Sequence, residues 1–466
     1  MVKRYRLLIV VILISLLSIS YIYYRYYNNV KFYTSEIKSL QKIITDSKEN
    51  NNKNIWKFTK PLIRKDQIIK NTVYENNIFN PTSSEIKIKN KKYKFDKYSL
   101  YFLPRSVENE YGGTDNQKNT GYIEHYNDFY LYINGDGTLI SIKLSENNLK
   151  THYVKTNIIE KIQDHNFYSL STVGIKDMRI FNDRIYISYL KNYPKKTEDN
   201  DCYNLAILES DKLSDIDFLK NDKRKINFKD FFEFNYRCTS VIANNTNQNG
   251  GRLEKVNNYF YITVGDFRIP STSQDLNNNY GKIIRLKKNI ENKFEIISIG
   301  HRNPQGFFYD EDENILIVTE HGPNGGDEIN LINLNEDNKN VKNFGWDISS
   351  YGVHYEGDKD LPKLKKSHEQ FGFIEPIKYF TPSIAIQDIK KINFDNDKLY
   401  VLSSLGSNSE EGDLSLHFFK IKDQNYVEES IVNINQRIRD LAYNKNENKL
   451  ILVLENPTEI GVLHIN

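Results

Sequence analysis

Short runs of apolar and β-branched residues alternate with clusters of Gly, Asn, Asp and Pro from about Asp96 onwards in this 466-residue chain. The runs at 129–133 and 138–142, for example, flank Asn-Gly-Asp-Gly, which is a hairpin turn sequence. Similar strand-like runs recur further along the chain, at 179–189, 398–402 and 449–454. The pattern predicts an all-β domain, and its periodicity fits a propeller, a sandwich or a barrel alike.

A different pattern precedes this domain. Residues 7–24 form an uncharged apolar run that follows a basic flank and ends before Arg25. Eighteen helical residues span about 27 Å, which is enough for the hydrocarbon core of a membrane. A cleaved signal peptide is the alternative, but the run is long and no small-residue cleavage site follows it. Residues 1–25 are therefore predicted to be an uncleaved transmembrane anchor.

The distribution of charge extends this prediction. Cations are more numerous before the apolar run than after it, which places the N-terminus in the cytoplasm and the body in the periplasm or outside the cell. Residues 26–95 are polar and are predicted to form a stalk and linker, which leaves residues 96–466 for the β domain. The whole chain carries 64 Lys+Arg against 61 Asp+Glu, and this near balance does not support nucleic-acid binding.

Six short motifs follow one another in the middle of the β domain. They read GGRL at 250–253, VGD at 264–266, GKIIRL at 281–286, GHRNPQG at 300–306, EHGPNGGDEINL at 320–331 and NFGW at 343–346. In this order and spacing, the series resembles the quinoprotein glucose/sorbosone dehydrogenases. The resemblance implies a six-bladed β-propeller that binds pyrroloquinoline quinone (PQQ) and calcium, and that oxidises an aldose or a related sugar.

The resemblance also implies roles for individual residues. Arg302 and Asn303 match the pair that holds the quinone oxygens, and a fixed guanidinium there would stabilise developing negative charge. Gly322 and Pro323 match the backbone carbonyls that bind the calcium ion, a metal that prefers oxygen ligands. Asp266 matches the carboxylate that orients the catalytic histidine. All five are predicted to meet at one site.

The chain departs from the family pattern at two places. Gln248 stands where the family has its catalytic histidine, and an amide cannot accept the proton at neutral pH. Asp266, acting through water, is then the candidate base, while His301 and His321 are more often structural than catalytic at such positions. Residues 402–407 lack the cations that the family uses for the cofactor carboxylates, so Lys378 and Lys390 are the candidate substitutes.

Two functions remain open on these residues. One is a membrane-anchored, PQQ-dependent sugar dehydrogenase. The other is a non-catalytic propeller that binds a saccharide or a protein partner, and Gln248 favours this second function.

The chain's two cysteines, Cys202 and Cys238, lie in strand-like runs. In an exported domain they predict one disulfide, with two buried thiols as the alternative.

Overall fold

The computed structural model describes twelve stretches of the chain, which lie within one compact unit, Lys65–Asn466. They are residues 77–100, 120–162, 174–193, 203–215, 225–234, 248–286, 293–335, 340–355, 361–395, 397–406, 413–455 and 458–465. The predicted anchor at 7–24, Cys202 and Cys238 lie outside these stretches, so the anchor and the disulfide stay predictions. Within them, no helix has the length and the apolar character needed to cross a membrane.

The described residues are mainly β-strands, numbered here in chain order. The first thirteen are β1 (Asn77–Phe79), β2 (Thr82–Ile88), β3 (Lys91–Ser99), β4 (Gly121–Tyr126), β5 (Phe129–Asn134), β6 (Leu139–Leu144), β7 (Leu149–Val154), β8 (Ile175–Phe181), β9 (Arg184–Asn192), β10 (Tyr203–Ser210), β11 (Phe228–Glu233), β12 (Gly250–Val256) and β13 (Tyr259–Val264). The others are β14 (Lys282–Leu286), β15 (Phe294–Ile299), β16 (Pro304–Asp310), β17 (Ile315–Glu320), β18 (Asp327–Asn333), β19 (Lys342–Asn343), β20 (Lys378–Phe380), β21 (Ile386–Phe394), β22 (Asp397–Ser404), β23 (Ser415–Lys422), β24 (Asn425–Asn433), β25 (Arg437–Asn444), β26 (Lys449–Glu455) and β27 (Glu459–His464). One short helix, α1 (Ile158–Ile162), and 3-10 turns at Leu213–Asp215, Pro270–Gln274 and Glu369–Phe371 connect them.

These strands form six sheets, which are the six blades of a β-propeller. Their orders are β1-β7-β6-β5-β4, β11-β10-β9-β8, β12-β13-β14-β15-β19, β16-β17-β18-β20, β21-β22-β23-β24 and β2-β3-β27-β26-β25. The innermost strands β4, β8, β12, β16, β21 and β25 contact one another in that order, and β25 contacts β4 again. The ring is therefore closed, and the predicted all-β, six-bladed fold is confirmed for the described residues.

The apolar core lies between the blades. Five clusters of buried side chains together fill the contacts between each blade and the next around the ring. Packing on both faces of each sheet explains why many strands are apolar at nearly every position, as in β5 (Phe129–Asn134), which is buried throughout. The arrangement holds the inner strands in a fixed ring, and these strands carry the site.

The predicted hairpins are confirmed, and the predicted start of the propeller differs from the structure. The turn between β8 and β9 uses Asn182 and Asp183, both with positive φ (50° and 56°), as a two-residue hairpin requires. Asp96, the predicted first residue of the β domain, lies in the middle of β3 (Lys91–Ser99). Residues 77–95, assigned by sequence to the linker, instead contain β1, β2 and the first half of β3.

These early strands close the ring. β3 pairs with β27 in an antiparallel register that sets Phe95 beside Leu463, and β2 adds an outer strand to the same blade. Phe95 is buried in the cluster between the last two blades. Its ring is so close to the backbone of β27 that a Cβ on Gly461 would lie 2.9 Å from Phe95 Cζ. The last blade is thus completed by strands from the other end of the described chain.

We expect Phe95→Ala to lower the free energy of unfolding by about 3–5 kcal/mol, because it leaves a cavity at this closure. Urea unfolding followed by circular dichroism measures the change. Ile78→Ala is the matched control, since Ile78 lies in neighbouring β1 but is 59% exposed; its effect should stay within about 0.5 kcal/mol. Equal effects of the two substitutions would contradict closure through Phe95.

Candidate functional site

A cavity of about 400 Å³ opens at the propeller axis. Its walls come from all six blades, mostly from the first residues of the inner strands and the loops that lead into them. Representative wall residues, one from each blade, are Tyr122, Lys176, Gln248, Arg302, Ala385 and Arg437. A pocket of this size at the meeting point of rigid strands is the usual place for a small-molecule site.

The cavity is strongly cationic. Among the described residues, five cationic side chains line it, and Asp327 is the carboxylate on its wall; the cations are Lys176, Arg268, Arg302, Arg437 and Arg439. The substitutes expected from the sequence do not contribute. Lys390 instead pairs with Asp388 at 2.6 Å, and Lys378 lies over the rings of Phe380 and Tyr426. Arg437 and Arg439 share the buried Glu455 behind the wall, at 3.1 and 2.7 Å, so part of this charge is balanced. Basic side chains still outnumber acidic ones on the wall itself, and the cavity therefore suits an anionic ligand.

Gln248 bridges two of the predicted site residues. With its amide oriented to satisfy its neighbours, Nε2 donates to Asp266 Oδ1 at 2.9 Å and Oε1 accepts from Arg302 Nη2 at 2.8 Å. Its backbone has a positive φ of 59°. The structure thus brings Gln248, Asp266 and Arg302 together as expected. The neutral amide of Gln248 lies between the carboxylate of Asp266 and the guanidinium of Arg302.

Asp266 lies behind this amide. It has no exposed surface, and both oxygens accept hydrogen bonds, from Arg268 N at 2.9 Å and from Trp346 Nε1 at 2.8 Å. Burial raises the pKa of Asp266 to about 6, although the nearby Arg302 guanidinium acts in the opposite direction. The carboxylate orients Gln248. Because it does not reach the cavity wall, it is poorly placed to act as the base through water.

Arg302 is held in place at the cavity wall. Its Nη1 donates to the carbonyl oxygens of His321, at 3.1 Å, and of Gly322. The guanidinium also lies 5.4 Å from the ring centre of Trp346 and 5.9 Å from that of Tyr355. Only 7% of the residue is exposed. A guanidinium fixed in this way can meet a developing negative charge without reorganising.

Asn303 is oriented by the chain in the same manner. Its Oδ1 accepts from Gln305 Nε2 at 2.8 Å and from Gly250 N at 3.4 Å. This arrangement identifies Nδ2 as the side of the amide that is left as a donor for a ligand in the cavity. Arg302 and Asn303 therefore present two adjacent groups of donors, which is what their predicted role at the quinone oxygens requires.

Gly322, the first residue of the Gly322–Pro323 turn, also borders the cavity, and each carbonyl oxygen of the turn already accepts one hydrogen bond. Gly322 O accepts from Arg302, and Pro323 O accepts from Ser383 Oγ at 3.4 Å. The Asp327 carboxylate, which borders the same turn, accepts from three backbone N–H groups at 3.0 to 3.2 Å. No group of three or more His, Cys, Asp or Glu residues that could hold a metal occurs in the described part of the chain. The turn thus keeps one free lone pair on each of two carbonyl oxygens, beside a fixed guanidinium, whereas calcium takes six to eight oxygen ligands. The described residues therefore fit a calcium ion poorly.

Lys176 reaches the same wall from β8. It crosses the irregular start of β12 at Gly251, whose φ is +106° and where an added Cβ would lie 2.4 Å from Lys176 Cβ. Glycine is required there because it allows this close approach. The burial of Lys176 lowers its pKa to about 7, and the positive charge of Arg439 adds to the effect. Lys176 and Gln248 line the same cavity, and of the two side chains only the amine can accept a proton.

The family comparison agrees with this geometry. The sequence model of the glucose/sorbosone dehydrogenases matches residues 172–461, which is well over half of the chain. The chain belongs to the glucose/sorbosone dehydrogenase family. The resemblance inferred from the six motifs is thereby confirmed, and the matched range contains every residue assigned to the site except three wall residues of the first blade, Thr120, Tyr122 and Gly135.

Individual relatives match this chain over only part of its length. Aldose sugar dehydrogenase YliI of Escherichia coli is 35% identical over 162 residues, or 32% of this chain and 42% of that protein. An uncharacterized protein from Synechocystis is 28% identical over 205 residues, or 41% of this chain and 47% of the relative. The matches thus span less than half the length of either relative.

A solved structure is similar in fold. The crystal structure of the soluble aldose sugar dehydrogenase from Escherichia coli, in the apo form, superposes with a TM-score of 0.57 at 20% identity. The superposition covers 80% of this chain and all of that one, and it concerns the fold alone.

The arginine of the GGRL motif has a structural task. Arg252 Nη1 contacts Asp440 at 2.6 Å and Asp177 at 3.0 Å, and its Nε donates to Gln305 O at 2.6 Å. Arg179, also buried, extends this ionic network to Glu124 at 2.7 Å. The contacts join inner strands of neighbouring and opposite blades. A family motif that could be mistaken for part of the site instead fixes the ring around it.

The two motif histidines differ in position. His301 is fully buried, with Nδ1 3.1 Å from Glu320 Oε1 and Nε2 2.8 Å from Ser298 Oγ. Glu320 in turn accepts from Arg302 N at 2.9 Å, so His301 supports the site from behind. His321 lines the cavity, and its Nε2 lies 2.7 Å from Ile386 O. The sequence interpretation of both as structural agrees with the position of His301.

Proposed function

We propose that the central cavity binds PQQ and that the protein oxidises an aldose or a related sugar. The observation that carries the proposal is the convergence of four arginines and one lysine on a single cavity beside Asn303. Membership of the glucose/sorbosone dehydrogenase family supports it, as does the similarity to an aldose sugar dehydrogenase of Escherichia coli. A polar cavity that only sequestered neutral sugars would not need this concentration of positive charge.

The residues fit the quinone. PQQ is flat, with two adjacent carbonyl oxygens and three carboxylates, and a cavity of about 400 Å³ is of a size to enclose it. Arg302 and Asn303 would hold the carbonyl oxygens. Arg268, Arg437 and Arg439 would hold the carboxylates, because the planar guanidinium matches a carboxylate with two parallel hydrogen bonds. Hydride acceptance from the sugar is the chemistry that the bound quinone would supply.

The chain itself must remove the proton from the sugar hydroxyl. Lys176 is the group we assign to this step. Its amine is partly neutral near pH 7, which is the condition for an efficient general base, and it stands on the cavity wall next to the Gln248–Gly251 segment. Gln248 would orient the ligand through Arg302 and Asp266 without exchanging a proton. Arg302 would stabilise negative charge that develops on the oxygen it contacts.

Gln248 also favours the second function, a propeller that binds a saccharide or an anionic partner without turnover. In that case the cationic cavity would hold its ligand, and Lys176 would serve only as one more positive charge. The two functions share a binding site and differ only in chemistry. They are therefore separated by measuring binding and oxidation in the same preparation.

We expect purified full-length protein to bind PQQ saturably and then to reduce a redox dye when an aldose is added. Binding is measured by calorimetry and oxidation by dye absorbance. Arg437→Gln should weaken binding at least about tenfold, since a hydrogen-bonded charge is lost. Arg285→Gln is the control, because Arg285 pairs with Glu295 outside the cavity. Binding without dye reduction would support the non-catalytic function, and absence of binding would contradict the quinone proposal.

A further inference from the structure

The resemblance places a calcium ion at the carbonyl oxygens of the Gly322–Pro323 turn. In the structure, the positively charged guanidinium of Arg302 already lies there. Arg302 Nη1 donates to both Gly322 O and His321 O, so one guanidinium edge faces the carbonyl oxygens of the turn. The same side chain holds Gln248 Oε1 through Nη2. A divalent cation in front of this turn would lie next to a fixed guanidinium and would be repelled by it.

The surrounding groups make the repulsion stronger. Arg268, Arg437 and Arg439 add three permanent cations to the wall of the cavity, the last two sharing Glu455 behind it, and Lys176 adds a partial positive charge near pH 7. Asp327, the carboxylate on the described wall, directs its oxygens to the backbone N–H groups of Gly322, Ile384 and Ile386. Calcium would therefore find neither free carboxylates nor a favourable potential in the described part of the cavity.

We propose that this protein binds its anionic quinone without a divalent metal ion, and that the Arg302 guanidinium supplies the positive charge at the Gly322–Pro323 turn. The inference rests on the proposed function, because it concerns how the same cavity holds PQQ. A guanidinium can do this because it is permanently charged and donates several hydrogen bonds from a fixed plane. Glu320 supports it from behind by accepting from Arg302 N at 2.9 Å.

Metal independence is tested by titrating metal-depleted protein with PQQ in excess EDTA and, in parallel, in millimolar calcium chloride. Trp346 is a suitable reporter, since its ring lies 5.4 Å from the Arg302 guanidinium. Trp56 is the second tryptophan of the chain, and Trp56→Phe leaves Trp346 as the single emitter. The Kd values in the two buffers should agree within about threefold, a difference well under 1.4 kcal/mol.

The outcomes separate this inference from the proposed function. Tight binding in EDTA supports both. Binding that appears only with calcium, or that calcium strengthens at least about tenfold, overturns metal independence and leaves the quinone function standing. Absence of binding in both buffers overturns the quinone function and, with it, the inference.

A variant tests the part assigned to Arg302. Arg302→Gln should weaken PQQ binding in EDTA at least about tenfold, because a charged hydrogen-bond donor is lost. Arg285→Gln, which alters an arginine outside the cavity, should bind as the wild type does. Thermal unfolding of both variants shows whether they fold. Unchanged affinity of folded Arg302→Gln in EDTA would overturn the proposal.

Discussion

Lys176→Met should lower the rate of sugar oxidation by quinone-loaded protein by about 10²–10⁴-fold, the usual contribution of a general base. Methionine keeps the unbranched shape that passes Gly251, but it cannot accept a proton. The affinity for PQQ should change far less than the rate, because three arginines remain to hold its carboxylates. Calorimetry and stopped-flow dye reduction on the same sample separate the two effects.

The pH dependence gives a second readout. A base acts in its neutral form, so the wild-type rate should rise with pH as Lys176 loses its proton. The pKa of Lys176 is lowered to about 7 in the protein without ligand. Bound carboxylates favour the charged amine and move the midpoint of the loaded enzyme upwards from there. The residual rate of Lys176→Met should lack this rise.

The free energy of unfolding of the protein without cofactor also depends on the protonation of Lys176. The unfolded chain holds a proton on Lys176 up to a pH near 10.5, whereas the folded chain releases it near 7. The resulting penalty is fully present below about pH 7 and is relieved as the pH rises between the two values. Lys176→Met should remove this pH-dependent part of the stability.

Lys378→Met is the control, because it changes a lysine outside the cavity; it should keep the wild-type rate of sugar oxidation and its pH dependence. A rate of Lys176→Met equal to that of the wild type would show that another group accepts the proton.

Arg252→Met should destabilise the protein by about 3–5 kcal/mol, since it leaves buried carboxylates without their partner. Asp440 loses its contact at 2.6 Å and Asp177 its contact at 3.0 Å. All three side chains are about 1–2% exposed, so water cannot replace the lost charge. The change is measured by urea unfolding at neutral pH.

Two further variants make the test specific. Arg285→Met removes an arginine that pairs with Glu295 at 2.7 Å, but both side chains are partly exposed; the expected loss is at most about 1 kcal/mol. Adding Asp440→Asn to Arg252→Met removes one of the stranded charges and should restore part of the stability. A small effect of Arg252→Met, or no recovery in the double variant, would contradict the assignment of this network to ring stability.

The fold was predictable where individual residues determine the local backbone conformation. Turn residues with positive φ, such as Asn182 and Asp183, identify hairpins from the sequence alone. The strands before Asp96 were missed for a physical reason. β2 (Thr82–Ile88) is the outermost strand of its blade and mostly exposed, so it shows little of the apolar alternation that identifies a strand. The number of blades came from the motif series, because hairpin periodicity does not determine how many sheets form a ring.

The site was predictable in part. Gln248, Asp266, Arg302 and Asn303 could be predicted together because each lies within a family motif or directly before one. The other cations were missed because they arrive from strands far apart in sequence, such as Lys176 on β8 and Arg437 on β25. The spacing Arg-Ile-Arg at 437–439, with period two on a strand, was a signal that two cations share one face. The hydrogen bonds from Arg302 to the carbonyl oxygens of His321 and Gly322 could not be predicted from the spacing of residues in the sequence.

The closure of the ring has a consequence for synthesis on the ribosome. Asp96 and His464, whose side chains meet at 2.9 Å, are separated by 368 residues. β3 can pair early with β2, but its other edge must wait for β27 until nearly all of the β domain has emerged. Contacts between such distant residues slow folding, and waiting strand edges can pair with other chains. We infer that completion of this blade is a late step, at which the nascent protein is most dependent on chaperones.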